Sequence, residues 1–335
     1  MKKISWNKIG KEVFVKFLVF LFCVAFISLN NYLLGESNNI AGVILLVGLF
    51  LLMKGDLGFD VSQASFSIVF MFAIIAFCPK LAAIHPLVGL FVNSISILLI
   101  MILSSHDVAM SNHTTFMLGY LFCQGYEVTG RDYALRVIGL IVGGILLALL
   151  YYLANQKKEY KRNIVDLFNE LSVHSTRTRW YVKLTFLLSV TMFVCELLHY
   201  PRTMWISLTI LSLTLPFEDD YKDRRKVRIP AAILGTAAFY ILFELIVPVE
   251  YQAIFVMFAG FLAMFIQDYF LKCIYNSFSA LGAAVLLFST KGAIALRIVS
   301  NIIGTLIVIV GYFLFQTFYR YYEPWYEKRR NTSAT

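Results

Sequence analysis

The chain has 335 residues, of which 59% are hydrophobic and only 15% charged, with a mean hydropathy of +0.75. That is far more apolar surface than one water-soluble core hides, so the composition excludes a soluble globular domain and defines an all-α polytopic membrane protein. The net charge of +9 calls for no nucleic-acid partner, because membrane proteins collect Lys and Arg in the loops of one side.

The N-terminal stretch carries Lys2, Lys3, Lys8, Lys11 and Lys16 ahead of an apolar run from Phe17. No small-x-small cleavage site closes that run, so it is expected to be the first membrane helix and not a signal peptide. Five further apolar segments follow, Ile40 to Met53, Phe66 to Cys78, Pro86 to Leu103, Thr114 to Gln124 and Leu135 to Leu153. A polar connector then leads to six more: Lys183 to Leu198, Met204 to Phe217, Ile229 to Val247, Tyr251 to Ile266, Ile274 to Phe288 and Leu296 to Phe315. The expected architecture is about twelve transmembrane helices in two parallel six-helix repeats. Its boundaries are 1–154 for the first repeat, 155–181 for a cytoplasmic amphipathic connector, 182–318 for the second repeat and 319–335 for a cytoplasmic tail. Thr114 to Gln124 falls well short of the ~20 residues of a full span, which leaves open whether it is a half-helix.

Twelve crossings with the N-terminus inside leave only Lys80, Arg131, Arg136, Arg202, Lys291 and Arg297 outside, out of 29 Lys and Arg. This bias places both termini in the cytoplasm. Ile164, Leu167, Phe168 and Leu171 in the connector follow helical spacing beside Lys157, Lys158, Lys161 and Arg162, as in a helix lying on an anionic leaflet. The tail from Tyr319 to Arg330, with Trp325 and Tyr326, reads as an interfacial anchor, and residues 331–335 as disordered.

The most distinctive stretch is WISLTILSLTLPFEDDYKDRRKVRIPAAILGT, Trp205 to Thr236. Its centre, Glu218 to Arg228, is almost all charge. Pro216 ends the first apolar run, and Pro230 is expected in the first turn of the next, which makes the charged segment a tight loop between two helices. Trp205, Thr209 and Ser212 share one helix face and offer an indole and two hydroxyls to a substrate. Arg224, Arg225 and Arg228 form the charged end of the same substrate path.

Three arginines begin the same pattern. Arg136, Arg228 and Arg297 are each followed at +3 by a small residue and at +7 by glycine, namely Gly143, Gly235 and Gly304. On a helix these positions align, so an arginine at the membrane boundary is in line with two small residues that let a neighbour approach. The alignment also suggests inverted triplets nested in the second half, as in transporters.

The run W-I-x-L-T, then proline, a charged loop and R-x-x-x-R-I-x-x-x-x-G-T resembles the fusaric acid resistance and aromatic acid exporter family, the FUSC-like proteins. The similarity is clearest over residues 182 to 315, with GYEVTGRDYALRVIGLIVGG as the best-preserved piece of a partner repeat. The resemblance implies an inner-membrane efflux protein for aromatic or other hydrophobic carboxylates, distantly akin to the plant malate-channel fold. The chain departs from well-known members in having only a short connector where they carry a large soluble domain.

No H-E-x-x-H, G-x-S-x-G or phosphate-binding glycine loop is present, so no enzyme activity and no cofactor are expected. His106, Asp107 and His113 are too scattered to define a metal site, and the five cysteines, Cys23, Cys78, Cys123, Cys195 and Cys273, lack ligand spacing. Without a nucleotide site, active transport needs an ion gradient, and Glu196 and Glu244 are the proton-coupling candidates. A passive organic-anion channel is the alternative, since it needs positive lining but no carboxylate carrier. The expected partners are a small organic anion and membrane lipid, with a homo-oligomer left open and no nucleic acid.

Overall fold

The computed structural model describes residues 6–106, 108, 110–284 and 290–332. Lys2, Lys3, Asp107 and residues 333–335 of the expectations above lie outside them. Every regular element among the described residues is helical. In chain order the helices are α1 Trp6–Leu34, α2 Asn39–Leu52, α3 Val61–Ala82, α4 Pro86–Ser104, α5 His113–Gly125, α6 Gly130–Asn155 and α7 Ile164–Asn169. They continue with α8 Thr176–Leu197, α9 Thr203–Leu213, α10 Glu218–Tyr240, α11 Val249–Ala263, α12 Tyr269–Ala284 and α13 Thr290–Thr332.

Seven helices are long and apolar enough to cross a membrane: α1, α3, α4, α6, α8, α13 and α10 with its extension to Ile246. The shorter α2, α5 and α9, of 14, 13 and 11 residues, pack among them. Helices α4 and α8 join the two halves of the chain along their length, as do α5 and α9. The largest fully buried side chains, Trp180, Tyr120, Tyr151 and Tyr181, sit in this shared core. Their polar tips are satisfied inside it, as burial of an indole or phenol requires. Tyr120 donates to Asn93 at 2.6 Å, Trp180 to the Thr214 carbonyl at 2.8 Å and Tyr181 to the Ser105 carbonyl at 3.0 Å.

Local chemistry explains where helices begin. Asp60 caps α3 by accepting from the Gln63 N–H at 3.0 Å, and Pro86 occupies the first turn of α4, where a missing N–H costs nothing. The charged segment Glu218 to Arg228 is not the expected loop. It forms the first turns of α10, and the break before it spans only Thr214 to Phe217. Glu218, Asp219 and Asp220 lie in the first turn, where the helix dipole favours carboxylates. Lys222 then pairs with Glu218 at 3.1 Å, and Lys226 with Asp223 at 3.3 Å. Alternating signs at helical spacing favour a helix over a turn, and Pro230 is consequently in the interior of α10. After Tyr240 the helix widens into a π-helical turn, Ile241–Ile246.

The connector also differs from expectation. Helix α7 does not lie free on a surface: Leu167 is buried in the core, Ile164 and Leu171 pack against it, and only Phe168 of the four apolar residues is exposed. An Asn163/Asp166 capping box starts this short helix. Two ionic clamps hold the connector down. Asp56, in the α2–α3 loop, takes Lys158 at 2.9 Å and the hydroxyl of Tyr160, while Glu170 takes Arg162 at 2.6 Å and Arg177 at 2.7 Å. At the other end of the chain, α13 runs unbroken for 43 residues, so the segment after 318 continues a membrane helix and is not a separate tail.

The clamps make the connector acid-sensitive. Partial burial pushes Asp56 upward, but Tyr160, Lys158 and the Gly58 N–H outweigh it and hold the carboxyl below its ordinary value. Hydrogen bonds from Arg177 and Arg162 do the same for Glu170. With both folded-state pKa values lowered, their stabilisation is present above the unfolded carboxylate range and is lost as pH falls through the folded values. Proteolysis of the connector in purified protein should therefore stay slow at neutral pH and accelerate below about pH 4. Asp56→Asn should be cut faster at neutral pH, and a flat pH profile in the wild type would refute the clamp.

Candidate anion site

A side chain at any of the three +7 glycines would meet a neighbouring helix. A Cβ at Gly304 would stand 2.8 Å from the Thr209 Cβ and 3.0 Å from the Ile206 carbonyl oxygen, so α13 touches α9 backbone to backbone. One at Gly235 would collide with the Ile274 carbonyl and lie 3.0 Å from the Ser277 Cβ, which brings α10 onto α12. Gly143 of α6 faces Leu45 of α2, a flexible side chain. Two turns before each glycine, and on the same face, stands the arginine.

The arginines are not interfacial anchors. Arg136 and Arg297 are each 2% exposed and Arg228 5%. Arg228 stands ten residues into α10, past the exposed Glu218, Asp219, Lys222, Asp223 and Lys226 of its first turns. Arg228 and Arg297, expected on opposite sides, instead both reach α9 within the bundle, Arg228 at Thr209 and Arg297 at Trp205. The α10 helix begins earlier than the loop reading allowed, and this carries Arg228 inward.

The two meet at α9. Arg228 donates to the Thr209 hydroxyl at 3.1 Å and to the Cys273 sulfur at 3.2 Å. Arg297 lies over the Trp205 ring, 5.1 Å from its centroid, and makes a long 3.4 Å bond to the Asn276 carbonyl. Asn301, one turn after Arg297, bonds Thr209 through its Oδ1 at 3.2 Å. No carboxylate pairs with either guanidinium among the described residues. Nε of Arg228 and both Nε and Nη1 of Arg297 are buried without a hydrogen-bond partner.

Arg136 shows what a structural arginine looks like in the same chain. Its Nε donates to Asn38 Oδ1 at 3.0 Å, Nη2 to the Ser37 carbonyl at 2.9 Å and Nη1 to the Tyr126 carbonyl. Each of its three nitrogens therefore has an acceptor. The second-half pair has donors to spare, in a place where an unsatisfied charged donor is expensive.

The other candidate residues take different positions. Trp205 and Thr209 belong to the site, but the hydroxyls are engaged: Thr209 serves Arg228 and Asn301, and Ser212 bonds the Thr209 carbonyl at 3.0 Å. Arg224 reaches the Ser212 carbonyl at 3.3 Å and covers the Tyr269 ring, which extends the positive lining toward the connector end. Arg225 is spent on Tyr221. Glu244 is exposed on the π-helical turn, away from the arginines. Glu196 lines a cavity of about 830 Å³ between the halves, with His199, Tyr200, Arg202, Tyr126 and Met204. That volume suits a small organic ligand. Tyr200 links it to the arginine site through a 3.0 Å bond to Ser300, next to Arg297 in the α13 turn. Asn301 and Cys273 were missed in the sequence, although an asparagine one turn from an arginine in an apolar helix is a readable signal.

The long apolar helices define a polytopic membrane protein, and two buried guanidiniums lie inside its bundle. Residues 189–311, which hold α9 to α12 with both of these arginines, match the family described as fusaric acid resistance protein-like. The resemblance expected over residues 182 to 315 is found over nearly that stretch. No curated protein and no solved structure matches the chain.

Two sets of variants test this division of roles. Gly235→Leu, which meets a carbonyl, should reduce folded protein most, Gly304→Leu nearly as much, and Gly143→Leu least, with overpacking costs of about 1–3 kcal/mol at the mildest site. Equal, wild-type yields of monodisperse protein from all three would discard the contact model. Arg136→Met strands three acceptors at about 1–3 kcal/mol each and should lower the thermal midpoint in detergent. Arg297→Met removes a charge that has no counter-ion and should leave the midpoint unchanged or raise it. The reverse order would mean that Arg297 is the structural arginine.

Proposed function

We propose that the protein exports organic anions, aromatic or other hydrophobic carboxylates, across the inner membrane, with Arg228 and Arg297 as the central binding station. One observation carries this reading: two buried guanidiniums that both reach α9 have unpaired donors, and among the described residues no carboxylate pairs with either. A permeating carboxylate supplies the missing charge and acceptors, and the Trp205 face offers a surface for an aromatic ring. In this reading all twelve apolar helices cross, in two parallel six-helix repeats, with both termini in the cytoplasm. Support comes from the matching contacts of α6 on α2 and α13 on α9, each through the glycine seven residues after an arginine. Non-enzymatic transport also agrees with the family match.

Export against a gradient needs coupling, and Glu196 is the carrier of choice because it lines the cavity that Tyr200 joins to the arginine site. A passive channel is the second reading, favoured by a centre that contains only positive groups. Proteoliposomes loaded with benzoate separate the two. For an exporter, an imposed pH gradient drives uphill benzoate movement, Glu196→Gln abolishes the coupling, and Glu244→Gln, on the exposed turn, does not. Flux that follows only the benzoate electrochemical gradient, indifferent to Glu196→Gln, establishes the channel. In either case Arg228→Gln should cut flux by roughly tenfold or more, the worth of one charge-assisted hydrogen bond; unaltered flux would remove the central station.

Topology is tested separately. Asn38 is buried against Arg136 and cannot serve as a label site, but its neighbour Glu36 is exposed, as is Ser172 in the connector. An impermeant maleimide added to intact cells should label Glu36→Cys and spare Ser172→Cys. Labelling of Ser172→Cys from outside would sink the cytoplasmic assignment.

A further inference from the structure

A second basic cavity, of about 620 Å³, opens between the first turns of α8 and the later part of α13, at the connector end of the bundle. Its lining includes Arg179, Lys183, Tyr312, Phe315, Tyr319 and Arg320. The Lys183 ammonium sits 3.4 Å from the centroid of the Tyr312 ring, and the Arg179 guanidinium lies over Tyr319. Among the described residues the lining has one carboxylate, Glu218, and it is taken by Lys222 at 3.1 Å. Lys183 and Arg320 thus bring positive charge to an aromatic floor.

The surroundings say what kind of anion fits. Immediately next to the basic residues along the same helices, Val182 and Phe186 of α8 and Leu314 and Phe318 of α13 are exposed. They belong to the apolar outer face of helices long enough to span a membrane. A ligand held here meets cations at one end and lipid-facing hydrocarbon side chains at the other. We propose that this cavity is a binding site for the headgroup of an anionic glycerophospholipid. The phosphate lies between Lys183 and Arg320, and the acyl chains run along the Phe186 and Phe318 surface. Basic pockets between membrane helices are suited to such headgroups, because charge selects the phosphate and the apolar flank retains the chains. The Arg228–Arg297 centre, enclosed by α9, α10, α12 and α13, lacks the second half of that arrangement.

The test is lipid binding to the full-length protein in neutral detergent, read by native mass spectrometry and thermal midpoint. Short-chain phosphatidylglycerol, phosphatidylcholine and glycerol 3-phosphate are the probes. Phosphatidylglycerol should bind and stabilise the wild type, phosphatidylcholine should not, and glycerol phosphate should be far weaker because it has no chains. Lys183→Gln should weaken phosphatidylglycerol binding roughly fivefold, the effect of one basic group facing an anionic lipid. Arg320→Gln, at an exposed position that folding does not depend on, should do likewise and keeps the test decisive if Lys183→Gln folds poorly. Equal binding of the two lipids, or phosphatidylglycerol affinity untouched in both variants, would overturn the proposal. Binding of glycerol phosphate as tight as that of the lipid would also overturn it, in favour of a site for free anions.

Discussion

Two guanidiniums buried against one helix, α9, with no carboxylate partner among the described residues, are the constraint around which the second half of the chain is arranged. An ion moved from water into a low-dielectric interior loses several kcal/mol even after relaxation, and a neighbour of the same sign adds repulsion. Thr209, Asn276 and Cys273 supply only neutral partners, and the Trp205 ring adds a quadrupole. These do not close the account, because three guanidinium nitrogens stay unmatched. An arrangement that is unfavourable when empty is favourable when a carboxylate occupies it, and this asymmetry is what a transient anion station needs.

The arginines are held there by helix contacts. Each glycine seven residues downstream fixes the separation of two backbones, so the arginine two turns earlier on the same face enters the same seam. The seam of α10 with α12 directs Arg228 toward Cys273, and that of α13 with α9 directs Arg297 over Trp205. Gly143 does the equivalent for Arg136 in the first half, where Asn38 and two carbonyls each accept from one guanidinium nitrogen. One pattern therefore yields a structural tie in one half and two incompletely bonded guanidiniums in the other. The difference comes from the neighbours and not from the pattern.

Much of this was legible from residue order. The apolar runs gave the helices, proline and acidic residues gave several of their starts, and the +7 glycines gave the contacts. The charged segment misled because Glu218 to Arg228 has the polarity of a loop, while the sign order at i and i+4 is that of a helix. Moving the start of α10 back to Glu218 moves Arg228 from the surface to the interior, and this one shift hid the arginine pair. The connector misled for a related reason. Leu167 was read as facing lipid on amphipathic spacing alone, whereas the Asp56–Lys158 clamp that ties the connector to the α2–α3 loop joins residues 102 apart in sequence.

Helix α13 carries Arg297 near one end, Gly304 at its contact with α9, and Tyr312 near the connector end. Tyr312 donates to the Leu215 carbonyl at 2.7 Å, accepts from the Leu215 N–H at 3.1 Å and stacks on Tyr221 with ring centroids 3.8 Å apart. An unbroken helix transmits displacement as a stiff rod, and the Gly304 contact with α9 acts as its fulcrum. A tilt that draws Arg297 toward a bound anion must swing Tyr312 the opposite way and load the break between α9 and α10. In the proposed exporter, the arginine site and the break between α9 and α10 are thus joined by one unbroken helix.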